Sequence, residues 1–126
     1  HLITKMESFA STLLQSKGME FDFNIAKVNP SGELPPGARK SIFMIFKEAI
    51  NNSTKYSGAT RVRVELEENE QGWKMSINDN GCGFNPDNVK SGNGLRNIRN
   101  RAKESRGVIF IHSDSSGTSV SLKIPK

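Results

Sequence analysis

The stretch Lys47-Glu48-Ala49-Ile50-Asn51-Asn52-Ser53-Thr54-Lys55-Tyr56 fits few environments. Read as the end of a helix running from about Ala38 to Tyr56, it lines up Glu48, Asn52, Lys55 and Tyr56, because residues three and four apart share a face. Ile42, Ile45, Phe46 and Ala49 form the apolar side of the same helix. A carboxylate, a carboxamide, an ammonium and a phenol pointing one way are costly to bury without a ligand to meet them. A hard cation takes oxygen donors and phosphate takes a fixed positive charge, so a metal–phosphate ligand suits this face.

Patterns on either side of that helix supply the fold class. Ile3, Met6, Phe9, Ala10, Leu13 and Leu14 recur at helical spacing up to Gly18. Glu20 to Ala26 alternates, with Phe21, Phe23 and Ile25 on one side, as a half-buried strand does. Asn29 to Gly37 is rich in proline and glycine and reads as a loop. Ser57-Gly58 ends the central helix. Val62, Val64 and Leu66 mark a second strand, and Trp73, Met75 and Ile77 a third, which runs into Asp79-Asn80-Gly81-Cys82-Gly83-Phe84. A polar link, Asn85 to Ser91, leads to Gly92-Asn93-Gly94-Leu95 and a basic helix ending near Arg106-Gly107. Val108 to His112 and Thr118 to Ile124 are the last strands, around a Ser/Gly turn. This order predicts an α/β (α+β) two-layer sandwich: a mixed, mostly antiparallel sheet with three main helices on one face.

A chain of 126 residues supports one core. No run is long enough to cross a bilayer, and no stretch reads as a signal peptide. One cysteine, Cys82, excludes an internal disulfide and fits a reducing compartment. The net charge of +5 suits an anionic ligand or partner without choosing among nucleotide, nucleic acid and acidic protein.

The Asp79–Phe84 turn admits two readings. Asp-Asn-Gly is a common hairpin turn. Equally, a carboxylate at a strand end accepts hydrogen bonds only, so an exocyclic amine such as adenine's is a natural partner, and adjacent glycines let a flat ligand approach the main chain. Gly92 and Gly94 open a helix, whose free N–H groups can bind phosphate, or they form a plain flexible connection. The sequence contains no Gly-x-x-x-x-Gly-Lys-Ser/Thr and no Gly-x-Gly-x-x-Gly, which excludes the P-loop and removes support for a dinucleotide fold. Two histidines and one cysteine are too few for a zinc site, and no Ser/His/Asp set is readable.

Glu-x-x-x-Asn-x-x-Lys-Tyr, Asp-Asn-Gly-x-Gly-Phe, Gly-x-Gly-Leu and a Gly-Thr before the final strand occur in that order. Together they resemble the ATP-binding domain of bacterial sensor histidine kinases, in the gyrase/Hsp90/histidine-kinase/MutL ATPase superfamily, from about Phe21 to Ile124. The resemblance implies a Bergerat-type fold with ATP and Mg²⁺ as cofactors. By that resemblance Asn52 coordinates Mg²⁺, Glu48 supports the metal or its water, Lys55 neutralises phosphate, and Tyr56 lies beside the nucleotide; many short-lid relatives have His there. Asp79 reads adenine, Gly81 and Gly83 shape the pocket floor, Gly92 and Gly94 hinge the lid, and Leu95 presents its amide. Thr118 supplies a hydroxyl that steadies Asp79 or a water. The brief lid disfavours gyrase-, Hsp90- or MutL-type chemistry.

The resemblance further implies residues 1–18 as the end of a connection from a dimerisation domain and 19–126 as the catalytic domain. The partners it implies are that phosphoacceptor domain and a response-regulator receiver domain, in the cytoplasm, without nucleic acid or membrane contact. Neither His1 nor His112 suits the acceptor role, so the fragment is expected not to phosphorylate itself. Arg96, Arg99, Lys103 and Arg106 read as a solvated face, or as cations for the γ-phosphate or an acidic regulator. Trp73 and Phe84 read as core or pocket wall, and Cys82 as filler. Two alternatives stand: an anti-sigma-factor-type serine kinase, and a basic nucleic-acid-binding module, which would interleave aromatics with its basic residues.

Overall fold

The computed structural model describes residues 2–26, 37–55, 58–69, 71–81 and 93–125. Three helices, α1 (Leu2–Ser16), α2 (Ala38–Lys55) and α3 (Asn93–Glu104), accompany five strands, β1 (Glu20–Ala26), β2 (Arg61–Asn69), β3 (Gly72–Asp79), β4 (Val108–Asp114) and β5 (Gly117–Pro125). His1, Tyr56, Ser57, Cys82, Gly83, Phe84 and Gly92, with the predicted loop at 29–36 and link at 85–91, lie outside the described residues.

The strands form one sheet in the order β1-β2-β3-β5-β4. β1 and β2 pair in parallel, because α2 carries the chain back between them. The other pairs are antiparallel, so the sheet is mixed and mostly antiparallel, as its sequence pattern predicts. Alternation then sorts the side chains. Val62, Val64 and Leu66 of β2, Trp73, Met75 and Ile77 of β3, and Val120, Leu122 and Ile124 of β5 are all buried. Against them pack Met6, Ala10 and Leu14 of α1, Ile42, Ile45, Phe46, Ala49 and Ile50 of α2, and Ile98 and Ala102 of α3. Among the described residues, no helix is long and apolar enough to cross a membrane.

Two helix ends close with the same hydrogen bonds but different residues. At the end of α1, Gly18 N–H meets Gln15 O and Met19 N–H meets Leu14 O, with Gly18 at φ 68°. At the end of α3, Arg106 N–H meets Lys103 O and Gly107 N–H meets Ala102 O, but the left-handed residue is Arg106, at φ 60°. The glycine stands one place later because the chain there presses on the sheet: a Cβ on Gly107 would lie 3.0 Å from both Leu122 Cδ1 and Lys123 O. Arg106 therefore bears a left-handed penalty that glycine would not. Arg106→Gly is expected to stabilise the fold by about 0.5–1 kcal/mol, visible as a melting temperature raised by a few degrees.

The β4–β5 turn is tied by Asp114. Its Oδ1 accepts Ser116 Oγ at 2.6 Å and Ser116 N–H at 2.8 Å, and its Oδ2 lies 3.1 Å from His112 Nε2. These bonds, the Ser116 hydroxyl foremost, hold the carboxyl down from 3.8 to about 2. A depressed carboxyl pKa favours the folded turn above the unfolded value, and that preference fades as pH falls towards the folded one. A carbon-13 NMR titration of Asp114 should therefore give a midpoint near 2, against 3.8 for an untied turn.

Candidate functional site

β3 ends on its inward face with a carboxylate. Trp73, Met75, Ile77 and Asp79 share that face by their spacing of two, so Asp79 extends an apolar stripe. The register sets it between Val62 on β2 and Thr118 on β5. Donors from three parts of the chain converge on it. Ser53 Oγ of α2 donates to Oδ2 at 2.8 Å, Gly81 N–H donates to Oδ1 at 3.0 Å, and Thr118 N–H donates to Oδ1 at 3.2 Å. A carboxylate offers about two acceptor positions per oxygen. Among the described residues, Oδ1 has two donors and Oδ2 one, which leaves room on Oδ2 for a donor from outside.

Each of those donors has a local cause. Ser53 follows Ala49 by one turn on the buried side of α2, and its hydroxyl also lies 3.1 Å from Ala49 O. Thr118 comes close because Gly117, at φ 144°, has no side chain: a Cβ there would sit 2.0 Å from Asp79 O. The Thr118 hydroxyl pairs instead with Ser113 Oγ at 2.9 Å. The main-chain N–H of Thr118 thus reaches Asp79; the resemblance implied its hydroxyl, for Asp79 or for a water. Asn80 fastens the neighbouring strand, its Oδ1 accepting the N–H groups of Thr60 and Arg61, both at 2.9 Å, and its Nδ2 donating to Thr60 Oγ1. A simple β3 hairpin at Asp79-Asn80-Gly81 is not what forms: β3 pairs with β2 and β5, and the next described element is a helix.

The other candidates fall as follows. Glu48 and Asn52 are half-buried near the end of α2, and Lys55 is exposed on its last turn. Gly81 is buried beside Asp79. Gly94 lies in the first turn of α3, and Leu95 is half-buried against the core. Tyr56, Gly83 and Gly92 fall outside the described residues. Arg96, Arg99, Lys103 and Arg106 are exposed, and His112 is exposed and turned to Asp114. Ser53 and Asn80 were not singled out by sequence reasoning. A serine in line with Ile42, Ile45, Phe46 and Ala49 was the available signal for Ser53, since a buried hydroxyl needs a partner. Among the described residues, no cluster of His, Cys, Asp and Glu could hold a metal by itself.

A family model described as histidine kinase-, DNA gyrase B-, and HSP90-like ATPase matches residues 37–126. The chain belongs to that ATPase family. Membership implies ATP as the ligand. The chain is 30% identical to the sensor histidine kinase MctS of Rhizobium johnstonii, over 99% of this chain and 28% of that protein. It is 40% identical to the sensor protein VraS of Staphylococcus epidermidis, over 74% of this chain and 27% of that one. It therefore spans a little over a quarter of either relative. Among solved structures, the catalytic domain of histidine kinase ThkA superposes with a TM-score of 0.79 at 17% identity, covering 99% of this chain and 90% of that one. The Acinetobacter baumannii histidine kinase AdeS gives 0.77 at 19%, covering 98% and 62%. At such identities these two comparisons establish the fold, the two-layer arrangement of histidine kinase catalytic domains.

Ser53→Ala takes one donor from Asp79 and is expected to cost about 1–3 kcal/mol in chemical denaturation. Gly117→Ala drives β5 off Asp79 and is expected to cost about 1–3 kcal/mol in the same measurement.

Proposed function

We propose that this chain is the Mg-ATP-binding catalytic domain of a sensor histidine kinase. In this reading it donates the ATP γ-phosphoryl group to a histidine on a dimerisation domain outside these residues. The observation that carries it is the inward Asp79 carboxylate, on which three donors converge, with one of them on Oδ2 among the described residues. An exocyclic amine at the edge of a purine is a donor of the right kind, and an Asp held this firmly selects it without reorganising. Gly81, without a side chain, would let a flat ring approach the main chain, and Gly83 continues that floor in the same proposal.

Asn52, Glu48 and Lys55 fit the phosphate end. They offer an amide oxygen, a carboxylate and an ammonium at the close of one helix, the donor set that a magnesium-bound triphosphate takes. Asn52 would hold the ion, Glu48 would orient a water on it, and Lys55 would offset phosphate charge. Bound there, the ion would spread the charge of the leaving phosphates. Tyr56 would lie beside the nucleotide, with Gly92, Gly94 and the Leu95 amide at the hinge of the covering segment. Catalysis is then chiefly positioning. The acceptor histidine, a response-regulator receiver domain and a cytoplasmic setting complete the proposal, in keeping with the sensor-kinase names of the relatives. Those names also favour it over an anti-sigma-type serine kinase. The nucleic-acid reading needs aromatics among the basic residues of α3, which has none.

Calorimetric titration of ATP, with and without Mg²⁺, tests this. In Asp79→Asn, Gly81 and Thr118 still require an oxygen, so the new NH₂ replaces Oδ2 and faces Ser53 and the purine amine as a second donor. That variant should lose ATP binding by at least a hundredfold. Asn52→Asp should keep nucleotide binding and change its dependence on Mg²⁺. Unaltered binding in both variants would sink the reading. Transfer of ³²P from ATP to a separately supplied dimerisation domain tests the kinase step.

A further inference from the structure

The net charge of +5 is only partly explained by a triphosphate site. A second collection of cations lies at the opposite end of α2. Leu2 and Lys5 of α1, with Arg39, Lys40 and Phe43 of α2, enclose a cavity of about 320 Å³. One turn on, Phe9 meets Phe43 edge-to-face at 6.2 Å, and Lys47 Nζ stands 5.7 Å from the centre of the Phe9 ring. Lys5, Arg39 and Lys40 are exposed, and among the described residues no carboxylate lines the cavity. Among the described residues, none of these three forms an ion pair. At about 1.5 Å per residue, Arg39 and Asn52 are roughly 20 Å apart along α2, so these cations do not serve a ligand held by Asn52.

Their placement carries a cost. Arg39 and Lys40 occupy the first turn of α2, which holds no acidic residue, and a helix start repels positive charge. A basic rim over an apolar, aromatic floor in a concave seam meets an opposite surface that is acidic and projects an apolar side chain. We propose that the α1–α2 seam is a docking surface for a separate protein that presents an acidic surface with one protruding apolar residue.

Other occupants fit the seam poorly. Bases stack on open aromatic faces, whereas Phe9 and Phe43 are locked edge-to-face and Lys47 stands over Phe9. A helix lying on a membrane turns its apolar side outward, but Met6, Ala10 and Leu14 of α1 are fully buried in the core. A permanently covered intramolecular face would be larger and more apolar; a charged rim around a small cavity marks an encounter that forms and dissolves. The basic face of α3 differs, because none of its residues lines a described cavity.

The probe is a synthetic peptide with one central leucine between runs of three glutamates, titrated into the nitrogen-15-labelled chain. Amide shifts should concentrate at residues 2–9 and 38–47, and raising the salt should weaken binding at least tenfold. The same peptide with glutamine for glutamate should not bind. Lys5→Glu combined with Arg39→Glu should weaken binding at least tenfold while ATP affinity stays unchanged. Because an acid at the α2 start suits the helix, melting should not fall in Arg39→Glu alone. Should the double variant fail to fold, unaltered peptide affinity in the folded Lys5→Gln protein overturns the proposal. So do shifts centred on Arg96, Arg99 and Lys103, equal binding of the glutamine peptide, or stronger shifts at the seam from duplex DNA or anionic vesicles. Loss of ATP binding in the wild-type chain would remove the proposed function and leave this inference standing.

Discussion

A carboxylate on the inward face of a sheet is a liability unless its oxygens are occupied, and Asp79 makes the arrangement around it necessary. Its donors come from α2, from β5 and from the main chain just beyond β3. Satisfying it therefore fixes three things at once. The end of α2 must lie over the end of β3, β5 must run beside β3 in one register, and the chain must turn sharply at Gly81. The strand order follows the same need, since β5 lies beside the central strand β3 and β4, its hairpin partner, is left at the edge. Gly117 shows how tight the fit is: even one methyl group would collide with the Asp79 carbonyl.

Much of this was readable in the sequence because it depends on period. The inward alternation of β2, β3 and β5 and the apolar side of α2 place each element within a few residues of its observed ends. Pairing was less legible. Nothing in Glu20 to Ala26 distinguishes a parallel from an antiparallel neighbour, and only the intervening helix makes the parallel β1–β2 pair natural. Ser53 was missed for a related reason. Beside Asn52 it reads as a small filler, and its partner lies 26 residues away, across a contact that only the folded chain creates. Arg106 shows the converse: Arg-Gly suggests that glycine takes the left-handed position, but close packing on Leu122 claims it one place later.

The direction of α2 explains how one helix can carry two kinds of charge. Its carbonyl end, the more negative, carries Asn52 and Lys55, and its amide end carries Arg39 and Lys40. A cation is favoured at the first of these and opposed at the second. The proposed magnesium at Asn52 therefore sits where the helix dipole helps, while bare phosphate there would be repelled; Lys55 on the last turn has the same sense. Phosphate itself would be better served by the start of α3, since the first N–H groups of a helix favour an anion and Gly94 lies in that turn. In the proposed function, α2 would therefore contribute the metal and α3 the anion pocket to one nucleotide. The cations at the start of α2 oppose the dipole, and the acidic partner proposed for the seam would offset their cost. A helix stabilised for its own sake would have placed acids there, so under the two proposals the ends of α2 address two different partners.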